Sequence, residues 1–84
     1  MSVEVRMMTA AGCHLCEEAD AVLERARAEL GFDLVRVDIT GDPALEAKYR
    51  EEIPVVYVAG RRTFTYFVDA AELRDRVVAA TSAV

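Results

Sequence analysis

The chain of 84 residues has no tryptophan, one histidine, two cysteines, two prolines and four glycines. Each scarcity excludes something. Two cysteines cannot build the multi-bridge framework of a small secreted domain. With one histidine beside them they also fall short of the four ligands of a closed zinc site. No Pro-, Gly- or Ser-rich tract is present, so the sequence offers no linker, repeat or low-complexity segment. The formal net charge is −5 and no Lys/Arg cluster is larger than Arg61-Arg62. That balance predicts neither a nucleic-acid partner nor an anionic membrane surface. No apolar run reaches membrane-spanning length, and Met1 to Met8 is broken by Glu4 and Arg6, unlike a secretory signal. The expected compartment is cytoplasmic, where reducing thiols make a lone cysteine pair more often catalytic than structural.

What is present reads as one globular domain over residues 1–84, 54% hydrophobic and 30% charged. That length is near the size at which a single core has little stability to spare. Val3 to Met8 alternates and then turns apolar, the pattern of a strand whose far end is buried. Thr9 to Gly12 is a turn. From Cys13 to Leu30, the residues Leu15, Ala19, Val22, Leu23, Ala26 and Leu30 recur at helical spacing, with Glu17, Glu18, Asp20, Glu24, Arg25 and Arg27 on the other face. Gly31 stands where a left-handed cap stops a helix.

Phe32 to Ile39 alternates as a second strand, parallel to the first because a helix joins them. Asp42-Pro43 pairs an N-cap with a proline at the first helical position and opens a short helix to about Arg50. Val55 to Val58, a turn at Ala59-Gly60, and Thr63 to Val68 read as an antiparallel hairpin. Asp69 and Glu72 have capping-box spacing before a last helix carrying Leu73, Val77, Val78 and Ala80. The order is βαβαββα. Met7 and Met8 read as core, Arg61 and Arg62 as a solvated edge, and Tyr49, Tyr57 and Tyr66 as packing residues with a surface hydroxyl.

The two cysteines lie as Cys13-His14-Leu15-Cys16 at the junction of the first strand and first helix. A thiolate at Cys13 would face the positive end of that helix. Cys16, about one turn on, is close enough to close a small disulfide ring. So short a loop removes little entropy from the unfolded chain, which argues against a structural staple and for a pair that cycles. Cys13, the more exposed, is then the expected nucleophile, and Cys16 resolves the mixed disulfide. A cationic His14 would favour the Cys13 thiolate; an exposed first-turn residue without that role is the other reading.

A Cys-x-x-Cys opening the first helix, Ile53-Pro54 opening the third strand, then a hairpin and a terminal helix resemble the thioredoxin superfamily in its minimal, glutaredoxin-like form. The resemblance spans nearly the whole chain. It implies an α/β thioredoxin-like fold, with a four-stranded mixed sheet flanked by helices, and a thiol-disulfide oxidoreductase needing no cofactor. It also implies that Pro54 is cis and sits against the active-site disulfide, with Ile53 offering backbone groups to a substrate chain. The implied partners are a disulfide-containing protein or a glutathione-like thiol, and a reductase the sequence does not identify; a monomer is expected.

Glutathione is a candidate reductant, yet this chain departs from the glutathione-using pattern. Ala10 replaces a lysine, His14-Leu15 the tyrosine-bearing pair, Glu51-Glu52 a basic residue, and Val68-Asp69 lacks the preceding glycines of the γ-glutamyl site. Two carboxylates there would repel an anionic tripeptide. Met7 occupies the strand position where thioredoxins place a buried acid. Two other readings stay open: a module carrying a soft metal through Cys13 and Cys16, and a redox-inactive interaction domain of the same fold.

Overall fold

The structure, a computed structural model, describes residues 2–82. Its elements are β1 (Glu4–Thr9), α1 (His14–Leu30), β2 (Asp33–Asp38), α2 (Pro43–Tyr49), β3 (Val55–Val58), β4 (Arg61–Thr65) and α3 (Ala70–Ser82). The strands form one sheet in the order β2-β1-β3-β4. β1 runs parallel to β2 and antiparallel to β3, and β3 is antiparallel to β4, so the sheet is mixed as expected. No helix among the described residues is long and apolar enough to cross a membrane.

The apolar runs of the two central strands have a direct cause. β1 and β3 are covered on both faces, so successive side chains enter opposite cores. Val5, Met7, Val56 and Val58 pack with Ala19 and Leu23 of α1 and with Leu73 and Val77 of α3. Met8 and Val55 point the other way, into a smaller cluster with Ile39 and Tyr49, flanked by Leu45 of α2. Both methionines are buried core residues.

The helix ends follow the sequence closely. Gly31 takes φ 76° and its N–H bonds to Arg27 O, closing α1. The Asp42 carboxylate accepts from Ala44 N and Leu45 N, with Pro43 at the first turn of α2. The Asp69 carboxylate accepts from Glu72 N at 3.0 Å.

Three expectations need correction. β4 begins at Arg61 and ends at Thr65, instead of running from Thr63 to Val68. It starts early because the two-residue turn pairs Val58 with Arg61, and it stops because Tyr66 takes φ 69°. Phe67 is consequently 70% exposed and outside the sheet. Val78 is exposed on α3, whose buried stripe is Leu73 and Val77. Tyr49 is buried at 4% exposure, and its hydroxyl pairs with Tyr57 Oη at 2.8 Å in a part-buried contact instead of standing free at the surface.

Candidate active site

The site is assembled where three chain segments leave one end of the sheet. β1 ends at Thr9, and the turn through Ala10 to Gly12 leads into Cys13. Gly12 takes φ 75°, a left-handed conformation that costs a residue with a Cβ about 1–2 kcal/mol. This reverses the chain so that Cys13 becomes the N-cap of α1. The turn is tied to the neighbouring β2–α2 loop, since Ala11 N donates to Thr40 Oγ1 at 3.3 Å. Thr40 N in turn donates to Asp38 Oδ1 at 2.8 Å, which holds the Asp38 carboxyl below its ordinary value.

Cys13 and Cys16 are brought to disulfide distance, with Cα atoms 5.2 Å apart. Cys13 Sγ also accepts the backbone N–H of Cys16 at 3.2 Å, filling the place of an N-cap oxygen. The two sulfurs differ in access: Cys13 is half-buried while Cys16 is 2% exposed. His14 points outward, its side chain 84% exposed and its Nδ1 3.7 Å from Glu17 Oε2.

The register of β1 and β3 pairs Met8 with Val55, which sets the Ile53-Pro54 bond at the same end of the sheet as the Thr9–Cys13 turn. That peptide bond is cis. Pro54 is buried, and its carbonyl accepts the N–H of Tyr66 at 2.9 Å, joining the start of β3 to the end of β4. Ile53 N donates to Tyr49 O at 3.1 Å, so its N–H is occupied by the end of α2. Glu51 carries the hydroxyl of Tyr66 on its carbonyl at 2.7 Å, and Glu52 forms an ion pair with Arg62.

Sequence reasoning passed over one group. A cavity of about 360 Å³ opens beside the cysteines, lined by Met7, Cys13, Cys16, Glu17, Asp20 and Arg36, with the Thr9–Gly12 turn at its rim. β1 pairs Met7 with Arg36 of β2, and the Arg36 guanidinium reaches Asp20 and Glu24 across the sheet-helix gap. The hydrogen bond to Asp20 pushes the Arg36 guanidinium above its ordinary value. The helical pattern of the sequence puts Asp20 on the solvent face of α1. The signal that could have found it is its spacing, four residues after Cys16 and so on the same side of the helix.

Among the described residues, no three His, Cys, Asp or Glu side chains converge as a metal site. A metal held by the two sulfurs would therefore need ligands from outside the described residues.

Comparison with known proteins agrees with this architecture. A Mycobacterium tuberculosis protein of uncharacterized function, Rv0508, is 34% identical over 83 residues, covering 93% of this chain and 86% of its own. The X-ray structure of protein XcR50 from X. campestris is 32% identical with a TM-score of 0.74, covering 89% of this chain and 96% of that one. Chloroplastic thioredoxin z superposes with a TM-score of 0.78 at 22% identity, over 96% of this chain and 80% of that one, a likeness of fold. The Glutaredoxin-like domain (DUF836) matches residues 4–78, and the chain belongs to that family, on a thioredoxin-like fold.

Proposed function

We propose that this domain is a thiol-disulfide oxidoreductase that cycles Cys13 and Cys16 between dithiol and disulfide. The observation that carries this is the asymmetry of a pair already at bonding distance: one sulfur accessible at a helix N-terminus, the other enclosed one turn deeper.

Chemistry follows from that asymmetry. The partial positive charge at the start of α1 stabilises a thiolate at Cys13. That thiolate attacks one sulfur of a substrate disulfide, the substrate S–S bond breaks, and the first substrate sulfur leaves as a thiolate. Cys16 then attacks Cys13 Sγ, expelling the second substrate sulfur. Two electrons and, after protonation, two protons pass from the dithiol to the substrate. An external thiol resets the pair.

The cis Ile53-Pro54 bond lies at the same end of the sheet as Cys13, and the group Ile53 has left to offer a substrate chain is its carbonyl. His14 is a first-turn side chain beside Cys13, in position to modulate its charge. Glu51 puts a carboxylate where glutathione users carry a basic residue, and Arg62 is engaged by Glu52, which favours a protein disulfide as substrate and a protein dithiol as reductant, in a reducing compartment.

The test is an equilibrium titration of the purified chain in glutathione redox buffers, with acid quench, alkylation and intact mass. The expected result is loss of two hydrogens at a midpoint within the roughly −120 to −270 mV of dithiol enzymes, absent in Cys13→Ser and Cys16→Ser. Thiols that remain reduced across the range, or a metal ion retained on the native protein, would overturn the reading.

A further inference from the structure

Resting on the thiol-disulfide reading, a second question is where the proton of Cys16 goes. Cys16 is 2% exposed, and burial in a low dielectric opposes the thiolate it must become before it can attack. Unlike Cys13, it is not the N-cap but the third residue of the first turn, and its side chain is enclosed. A buried thiol that must ionise during turnover needs a proton acceptor within reach, directly or through one water.

The cavity beside the disulfide supplies one. Two carboxylates line it, Glu17 and Asp20. Glu17 lies three-quarters in solvent and faces His14. Asp20 lies one helical turn beyond Cys16 on the same side of α1, and its side chain is 36% exposed. Arg36 Nε binds Asp20 Oδ1, while its Nη2 reaches Glu24 Oε1 at 3.2 Å. Arg36 is itself placed by the β1–β2 register, opposite Met7. The charged and titratable groups lining this space are thus Cys13, Cys16, Glu17 and Asp20 from α1 and its cap and Arg36 from β2, with Glu24 met only through Arg36; β1 and the turn contribute Met7, Thr9, Ala10, Ala11 and Gly12, none of which ionises.

We propose that Asp20, oriented by Arg36, accepts the Cys16 proton through water in this cavity and so sets the rate of the resolving step. The Cys16 S–H bond breaks, and its proton passes to the Asp20 carboxylate. The Cys16 thiolate forms the bond to Cys13 Sγ, while the Cys13–substrate S–S bond breaks with its electron pair leaving on the substrate sulfur. The proton held on Asp20 then returns through the cavity to the departing thiolate. The substrate disulfide is the oxidant and the dithiol the reductant, so no further co-reactant enters. Asp20 and Arg36 are positioning residues, acting on the sulfur through water. Met7, which lines the same cavity, has no ionisable group that could do this for Cys16.

The experiment is stopped-flow reaction of the reduced chain with dithiobis(nitrobenzoate), which releases one coloured thiolate on attack by Cys13 and a second when Cys16 resolves the adduct. Wild type should show two phases, and Cys16→Ser only the first. Asp20→Asn should leave the first phase unchanged and slow the second roughly 100-fold near neutrality, the lower end of what a general base contributes. The gap should close as rising pH deprotonates Cys16 without help, giving the variant a steeper pH-rate profile. Asp20→Glu should restore most of the rate, and Arg36→Gln should slow the second phase with the same steepening.

A second phase of unchanged rate and profile in Asp20→Asn would overturn the assignment, as would a uniform slowing with the wild-type profile, which is what a merely distorted helix gives. A larger effect from Glu17→Gln would also overturn it. If wild type lacks the second phase altogether, it is the thiol-disulfide reading that fails, and the two failures are distinguishable.

Discussion

Cys13 Sγ accepts the backbone N–H of Cys16 at 3.2 Å, so one sulfur both caps α1 and stands next to the sulfur it can bond. The first turn of a helix has N–H groups without intrahelical partners, and here a thiol takes the place usually held by Ser, Thr, Asp or Asn. Capping and chemistry therefore separate by substitution. Under reducing conditions Cys13→Ser should keep the helix start intact, whereas Cys13→Ala should lower stability by about 0.5–1 kcal/mol. Both should abolish disulfide exchange. Urea unfolding in excess reductant measures the first effect, and alkylation after exposure to a disulfide measures the second. Equal stability of the two variants would show that the sulfur contributes nothing as a cap.

The hairpin between β3 and β4 turns on two residues, Ala59 with φ 51° and Gly60 with φ 81°. Both lie in the left-handed region, the type I′ geometry that matches strand twist. Gly60 adopts it freely, whereas Ala59 does so against its Cβ, at about 1–2 kcal/mol. Asparagine tolerates that region far better, so Ala59→Asn should stabilise the domain by roughly 0.5–1 kcal/mol with activity unchanged. A raised urea midpoint at constant slope is the expected signature.

How much of this was legible beforehand depends on how local the cause is. The caps at Gly31 and Asp42 and the limits of β3 came from the identity of single residues and appear where the sequence placed them. The end of β4 did not. Tyr66 and Phe67 are strand-forming residues, and their intrinsic preference is overridden where Tyr66, paired with Pro54 twelve residues back, takes φ 69° and turns the chain out of the sheet. The Asp20–Arg36 pair was equally invisible, because the β1–β2 register that brings Arg36 opposite Met7 is a long-range fact. Cys13 and Cys16 were legible because their whole relationship fits within one helical turn.

Tyr49 and Tyr57 share a hydroxyl-hydroxyl bond in the smaller core, a contact no local pattern announces. Removing one partner leaves the other unsatisfied, and the penalty depends on burial. Tyr57→Phe removes the hydroxyl partner of Tyr49, leaving Lys48 beside it, and should cost about 1 kcal/mol. Tyr57 is half-buried and can turn to water, so Tyr49→Phe should cost less. The double variant, with no orphaned hydroxyl, should be more stable than Tyr57→Phe alone. A double-mutant cycle by urea unfolding measures this, and additive losses would rule the mutual bond out as the source.

Asp38 couples acid pH to the turn that carries Cys13. Its carboxyl is held below the ordinary value by the N–H of Thr40, and Thr40 Oγ1 holds the N–H of Ala11. A carboxyl depressed in the folded state binds protons more weakly there than in the unfolded chain. Its stabilisation is therefore present above the ordinary aspartate value of about 4 and lost as pH falls through the lower folded value. Asp38→Asn keeps an oxygen acceptor but cannot titrate, so acidification should destabilise it less than wild type. Amide exchange at Ala11 should accelerate in wild type on acidification, relative to the acid-dependent intrinsic rate, and stay level in Asp38→Asn. Parallel acid profiles for the two proteins would show that the turn is held independently of the Asp38 charge.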